Sequence, residues 1–379
     1  MPFAAALSSH PVTAHATGEV IGQVIDGIGA HPDLAVLVAS PGHMGALEDA
    51  AAAVRSVLAP TVLLGGVAGR VDTDAGLGAP TPPSQPALPS AAGPGGEAVG
   101  LWAAHTGPVV PVRLADLTSP SWAQMGRASF DTRALVVAGA AGATLPAAST
   151  SGLTVAGAVS DVAGAPIVLD GTAYGTGAVG VLLGPGVDLS VLVEQGHRPI
   201  GGPSTVTRTE GALLVSVDGR PAMSVLVGIA RDQVPAGDIA LINRSVHLEV
   251  TSAAGVGSRC SVRGRDGATG TLVIDPEVRL GDVVQFCIHD PEQTEVRARQ
   301  VVGAAAGGAL VWRTRRSDSG PGTSHKDGDD GMAGGCRPPR SVLACQAASL
   351  LGMSGQGQHP ADPDTIGIGI FREPRVARP

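Results

Sequence analysis

Five side chains in this sequence have the type and setting to hold a small anion, and they fall in three separate segments of the chain. The segment EQGHRPIGGPSTVT, residues 194–207, sets His197 and Arg198 among Gly196, Gly201 and Gly202 and just ahead of Thr207. An arginine that follows an apolar run and precedes Pro199 reads as a turn residue near a sheet end. A guanidinium there holds a carboxylate through two parallel, charge-assisted hydrogen bonds. The glycines permit close backbone approach, and the Thr207 hydroxyl adds a bond. The competing reading pairs Arg198 with a structural acid such as Glu194 and leaves the glycines to set the turn. His43, in SPGHMG, falls between a strand end and a helix start, where free N–H groups favour anions. A lone surface histidine is the plainer alternative. Ser160, beside Asp161 in AGAVSD, closes another strand and serves either the turn backbone or a ligand.

Other chemistries have less support. GMSGQG at 352–357 lacks the spacing of a nucleophile elbow. Cys287 and His289 alternate around Ile288 and so share a strand face, which reads as a buried thiol beside an ordinary histidine. His325, Cys336 and Cys345 lack the paired short spacing of a zinc site, and LLGGVAG lacks the full phosphate-loop pattern. The expectation is therefore no metal and no cofactor.

Composition narrows the scaffold that must position these residues. The chain has 379 residues, long enough for two cores, and 44% are apolar but only 2% aromatic. Val, Leu, Ile and Ala must then build the interior, which suits sheets covered on both faces. The net charge of −8 argues against a sequence-independent grip on nucleic acid, and no polybasic helix suggests a membrane surface. Residues 134–160 carry no charge, but Pro146, the glycines and a Ser/Thr cluster make them a buried strand–loop–strand, not a membrane span. The start lacks a basic leader and apolar block, and four cysteines without CxxC spacing fit free thiols, so a cytoplasmic location is expected.

Residues 33–69 read as strand, helix, strand, with Pro60 ending the helix before TVLLGG. Residues 132–164 echo that order with a shorter connector, which suggests an internal duplication. The Pro/Ser/Gly stretch 79–98 reads as a surface loop. From 176 onward, GAVGVLLG, LSVLVEQG, STVTRT and ALLVSVDGR suggest an antiparallel meander. A short helix after Pro221, strands at DIALINR, TLVI and GDVVQFCIH, a helix from Pro291 and the strand GALVW complete the expected elements. The fold class expected is α/β in two parts, with β-α-β units in the first half and a strand-rich mixed sheet in the second.

The ordered series GAVGVLLG, EQGHRPIGGPSTVTRTEGALLVSVDGRPA and GDVVQFCIHDPEQTEVRARQVVGAAAGGALVW resembles the FIST family, named for F-box and intracellular signal transduction. The resemblance runs over roughly residues 15–312 and implies an amino-terminal-like half at 15–190 and a carboxyl-terminal-like half at 191–312. Family members continue with a cysteine, a glycine–arginine turn, a His-Asp pair and a Gly-Glu-Ile-Gly-Pro segment, and none of these follows Trp312. Basic residues outnumber acidic ones by 9 to 7 over 313–379, against 16 to 26 before it. Residues 313–379 accordingly read as an irregular, disordered tail, either the product of a shifted reading frame or a divergent end. The resemblance implies a small-ligand-binding sensory protein whose ligand is an amino acid or other small carboxylate, with a signalling partner in trans. An enzyme acting on a small organic acid and a protein-interaction module are the alternatives.

Overall fold

The computed structural model describes residues 2–73, 97–114, 132, 134–143, 154–194, 196–234, 242, 246–252, 257–275, 277–304, 307–314, 342–347, 349–353 and 366–373. Two compact units emerge: a larger one from Met1–Glu194 and Glu295–Pro379, and a smaller one from Gln195–Thr294. The larger opens with β1 (Phe3–Ser8), α1 (Thr13–Ile28), β2 (Leu34–Ala39), a 3-10 turn at Pro41–Ala46, α2 (Leu47–Val57), β3 (Val62–Val67) and β4 (Val71–Thr73). It continues through β5 (Val99–Ala104), β6 (Val109–Leu114), β7 (Ala134–Gly139), β8 (Thr154–Val159), β9 (Ile167–Leu169), β10 (Thr172–Tyr174), β11 (Ala178–Leu183) and β12 (Asp188–Glu194). The smaller unit holds β13 (His197–Pro199), β14 (Ser204–Glu210), β15 (Leu213–Val217), β16 (Arg220–Pro221), α3 (Ala222–Gln233), β17 (Val246–Thr251), β18 (Gly257–Asp266), β19 (Thr271–Asp275) and β20 (Val283–His289). The chain then runs through α4 (Pro291–Ala304), β21 (Gly308–Thr314), β22 (Val342–Ala347), β23 (Ser349–Met353) and β24 (Ile366–Arg372). The class is mixed α/β, with a strand-rich second half, as the sequence indicates. Among the described residues no helix is long and apolar enough to cross a membrane.

Three sheets build the larger unit, in the orders β1-β5-β2-β3-β9-β10, β23-β8-β7-β11-β6 and β12-β24-β21-β22-β4. α2 carries Glu48 and Asp49 in its first turn and Arg55 in its last, each sign matched to the helix dipole. Its buried Leu47, Ala50, Ala51 and Val54 form one apolar stripe, which packs with α1 against one face of the first sheet. The other face of that sheet meets strands of the second and third sheets in a second core. The scarce aromatics gather there, with the Trp102 ring tilted against Phe3 and Phe371 at centroid distances of 6.1 and 4.7 Å.

The duplication read at 33–69 and 132–164 has a counterpart in the topology. β2 pairs with β3, and β7 with β8, each as a parallel six-residue ladder. Both ladders are prolonged by one matching bond, Ala68 N–H to Ala39 carbonyl at 3.0 Å and Ser160 N–H to Gly139 carbonyl at 2.9 Å.

In the smaller unit β20 bonds to β17 along one edge and to β14 and β13 along the other. The path β14-β15-β19-β18-β17 therefore returns to β20 and closes a six-stranded antiparallel barrel. Alternation sends Leu248, Val250, Cys260, Leu272, Val284, Phe286 and Ile288 inward, where Ala222, Leu226 and Ile229 of α3 complete the core.

Several expectations differ from this arrangement. β11 and β12 belong to different sheets and do not form successive arms of a meander, because β12 pairs instead with β24. HRP, read as a turn, is the short strand β13, flanked by Gly196 and Gly201 at φ +63° and +68°. The tail read as irregular contributes three strands, and β24 lies between β12 and β21. IGIGIF explains this. Its isoleucines pack under α4, while Phe371 faces Trp102 and Gly369 leaves room for the Trp312 ring. Such strict period-2 alternation is a strand signal in its own right. The proposed loop lies, apart from residues 97 and 98, outside the described residues, as do His325, Cys336, most of GMSGQG and, apart from Ile242, the strand expected at DIALINR.

Candidate functional site

Two places in the molecule gather the residues picked out by sequence. In the larger unit, β2, β3, β7 and β8 direct their carboxyl ends toward one apolar cavity of about 70 Å³. Such ends are where open α/β sheets take their ligands. Ser160 lines it, but its hydroxyl donates to the Val67 carbonyl at 2.7 Å and accepts from Val162 N–H at 3.2 Å. Asp161 accepts from Gly69 N–H at 2.8 Å. These bonds tie the end of one parallel pair to the end of the other.

His43 follows β2 in the 3-10 turn and is buried, not a surface residue. Its Nδ1 and Thr13 Oγ1 share a hydrogen bond of 2.8 Å, and its Nε2 has no partner among the described residues. Burial pushes its pKa down, with Glu97 opposing.

In the smaller unit the polar chemistry lies on the outward face of the barrel. Register sets it out: His197 faces His289, His247 faces Cys287 and Ser261, and Glu249 faces both Gln285 and Arg259. Cross-strand partners share a face, so these residues form one continuous polar surface. The His197 ring stands edge-on to His247 at 4.4 Å and tilted to His289 at 5.5 Å. His197 is only 7% exposed, and neither of its ring nitrogens has a partner among the described residues. Burial drives its pKa down to about 2, and Arg259, His247 and His289 push the same way, so the ring is neutral at physiological pH. Arg259 Nη2 donates to Glu249 at 3.4 Å, while its buried Nε has no described partner, and neither does Nε2 of His289.

The same register separates His197 from Arg198, which were expected to act together. Arg198 pairs with Ile288 and so belongs to the opposite face. Its Nε lies 3.8 Å from Oδ2 of Asp290, with the two side chains 31% and 15% exposed. The acid that meets Arg198 in this unit is thus Asp290, on the strand turn next to its own. Thr207 is exposed on β14, where its hydroxyl meets Ser216 at 2.8 Å and accepts from Gly219 N–H at 3.0 Å. Arg259 is the residue that sequence reasoning missed. Its signal was SRCSVR, an arginine alternating with an apolar cysteine in a strand whose other face is core.

Cys287 fits its structural reading. It is buried, and desolvation pushes its thiol up to about 11, so the thiolate a nucleophile needs is scarce near neutrality. Among the described residues no three His, Cys, Asp or Glu side chains are grouped to hold a metal.

A protein of Mycobacterium bovis is 33% identical over 138 residues, and the match covers 35% of each chain, so it spans about a third of that relative's length. A Mycobacterium tuberculosis protein is 27% identical over 343 residues, 81% of each chain. Both relatives are described as uncharacterised. Residues 131–220, which run from the β7/β8 pair to β16 and include Ser160, His197, Arg198 and Thr207, match the family model of the FIST N domain.

Proposed function

We propose that the chain is a small-ligand-binding sensory or regulatory protein, and that its ligand is an amino acid or other small carboxylate held on the outward face of the barrel. FIST domains are generally small-ligand-binding sensory domains in signal transduction, and the matched segment contains His197. One observation carries the reading: a buried histidine, neither of whose ring nitrogens has a partner among the described residues, stands in the field of Arg259, beside two further histidines. Buried polar groups are normally satisfied, so such a cluster suits an incoming acceptor. A carboxylate offers several lone pairs, enough to take Arg259 Nε–H and an imidazole N–H together. Arg198 belongs to the opposite face and meets Asp290; Ser160 and Thr207 already have protein partners, and His43 is bonded to Thr13 through Nδ1. A signalling partner would act in trans on the ligand-dependent state.

The experiment is a thermal-shift screen of the full chain against amino acids and di- and tricarboxylates at low salt. A specific ligand at about 100 times its Kd stabilises the folded state by about 2.7 kcal/mol, which is visible as a shift of several degrees. Arg259→Gln should abolish the shift. A flat response across the panel rejects the reading.

A further inference from the structure

We propose a second binding site in the larger unit, the cavity at the carboxyl ends of the two parallel strand pairs, which takes a small uncharged aliphatic molecule or chain end. This site is independent of the carboxylate reading, because its chemistry is of the opposite kind. The cavity is bounded by Val36 and Val38 of β2, Val136 and Ala138 of β7, Ile167, and the Trp312 ring of β21. Near its polar edge, the Ser160 hydroxyl and Ser160 N–H are both engaged by the chain itself. Among the described residues a charge placed here meets no partner, and burying a charge unpaired is strongly disfavoured, which favours an uncharged ligand.

The glycines around the cavity separate packing from function. Gly65 is crowded, since a Cβ there would sit 3.3 Å from the Leu37 carbonyl and from Val168, and one at Gly139 would lie 3.0 Å from Val159. Those two are small because neighbours require it. Gly66 differs. It lines the cavity and alternates with Leu64 and Ala68 on the inward face, and among the described residues the nearest atom to a Cβ there is Ile167 Cγ2 at 3.9 Å. No positive φ calls for glycine at that position either. Glycine weakens a strand interior, and where the described residues leave room for a side chain, close approach of a ligand is one of the reasons a strand keeps it. The volume is about half that of an apolar cavity known to admit benzene, which sets the ligand at about three to five heavy atoms.

The test uses the full chain with 1-propanol as probe and propionate as its charged counterpart of similar size. Propanol should bind in the millimolar range, as expected for so few atoms, and change the emission of Trp312. At ten times its Kd the melting temperature should rise by about 2–4 °C. Gly66→Ala, which fills the space without a clash, should weaken propanol binding at least tenfold and leave the response to any carboxylate ligand intact. If that variant folds poorly, Ala138→Val fills the same space from β7. Equal propanol binding by the filled variants, no saturable response, or propionate binding that Gly66→Ala removes would each overturn the proposal. Loss of the carboxylate response in Arg259→Gln with propanol binding unchanged would separate the two sites.

Discussion

The strand ends of the larger unit and the outward face of the smaller one treat polar groups in opposite ways. Around the cavity, Ser160 and Asp161 are committed to the Val67 carbonyl and Gly69 N–H, so the polar atoms there hold two strand pairs together and the lining stays apolar. On the barrel, among the described residues, neither ring nitrogen of buried His197 is bonded, and Arg259 and His289 each keep a buried nitrogen without a partner. One region has used its hydrogen-bonding capacity on the fold, and the other has retained it. The difference shows why a residue's type is a poor guide to its role. Ser160 has the hydroxyl expected of a ligand contact and donates it to the Val67 carbonyl, whereas Arg259, which the sequence reading did not single out, keeps a buried Nε without a partner among the described residues.

The sharpest way to break this contrast is through two glycines. Gly196→Ala should destabilise the smaller unit by about 3–5 kcal/mol, because the residue has φ +63° and a Cβ would collide with Thr294 Oγ1. Gly66→Ala should be neutral or stabilising by up to about 1 kcal/mol. Urea denaturation of both variants checks the pair, and a reversed order would show that the roles of the two glycines have been misread.

The second test is the pH dependence of stability. The folded pKa of His197 lies near 2, far below its unfolded value of 6.5, so the unfolded chain binds the extra proton across that interval. Stability is therefore complete above about pH 6.5 and falls as the pH drops toward 2, at up to about 1.4 kcal/mol per pH unit from this group. His197→Asn should flatten that slope in urea melts between pH 6.5 and 4.5, and an unchanged slope would mean that the ring is not buried as described. A smaller effect concerns Cys287. A rise from 9.0 to about 11 cuts its thiolate about 100-fold, so its peptide should alkylate with iodoacetamide about 100-fold more slowly in the native chain than after unfolding. Rapid native labelling, read by mass spectrometry, would contradict its burial.

Much of the scaffold was legible because short apolar runs bounded by glycine and proline are strong local signals. LAVLVA, VLLGGV and ALVVAG each became a strand of a parallel pair, α2 lies between the first two as read, ending before Pro60, and the helix read after Pro221 begins at Ala222. What sequence reasoning missed depends on partners distant in the chain. β13 is a three-residue strand that exists because β20 pairs with it, and β24, which lies in the tail read as irregular, is held between β12 and β21. The candidate site was half visible. His197 was identified, but its separation from Arg198 follows from a register that only the fold sets, and Arg259 enters through β18 pairing with β17.

The most direct test of the central claim is calorimetric titration of the full chain and of Arg259→Gln with the carboxylate that gives the largest thermal shift. The account predicts saturable one-site binding to the parent chain and at least a tenfold loss in the variant. Equal affinity for both chains, or no saturation by any carboxylate, would contradict it.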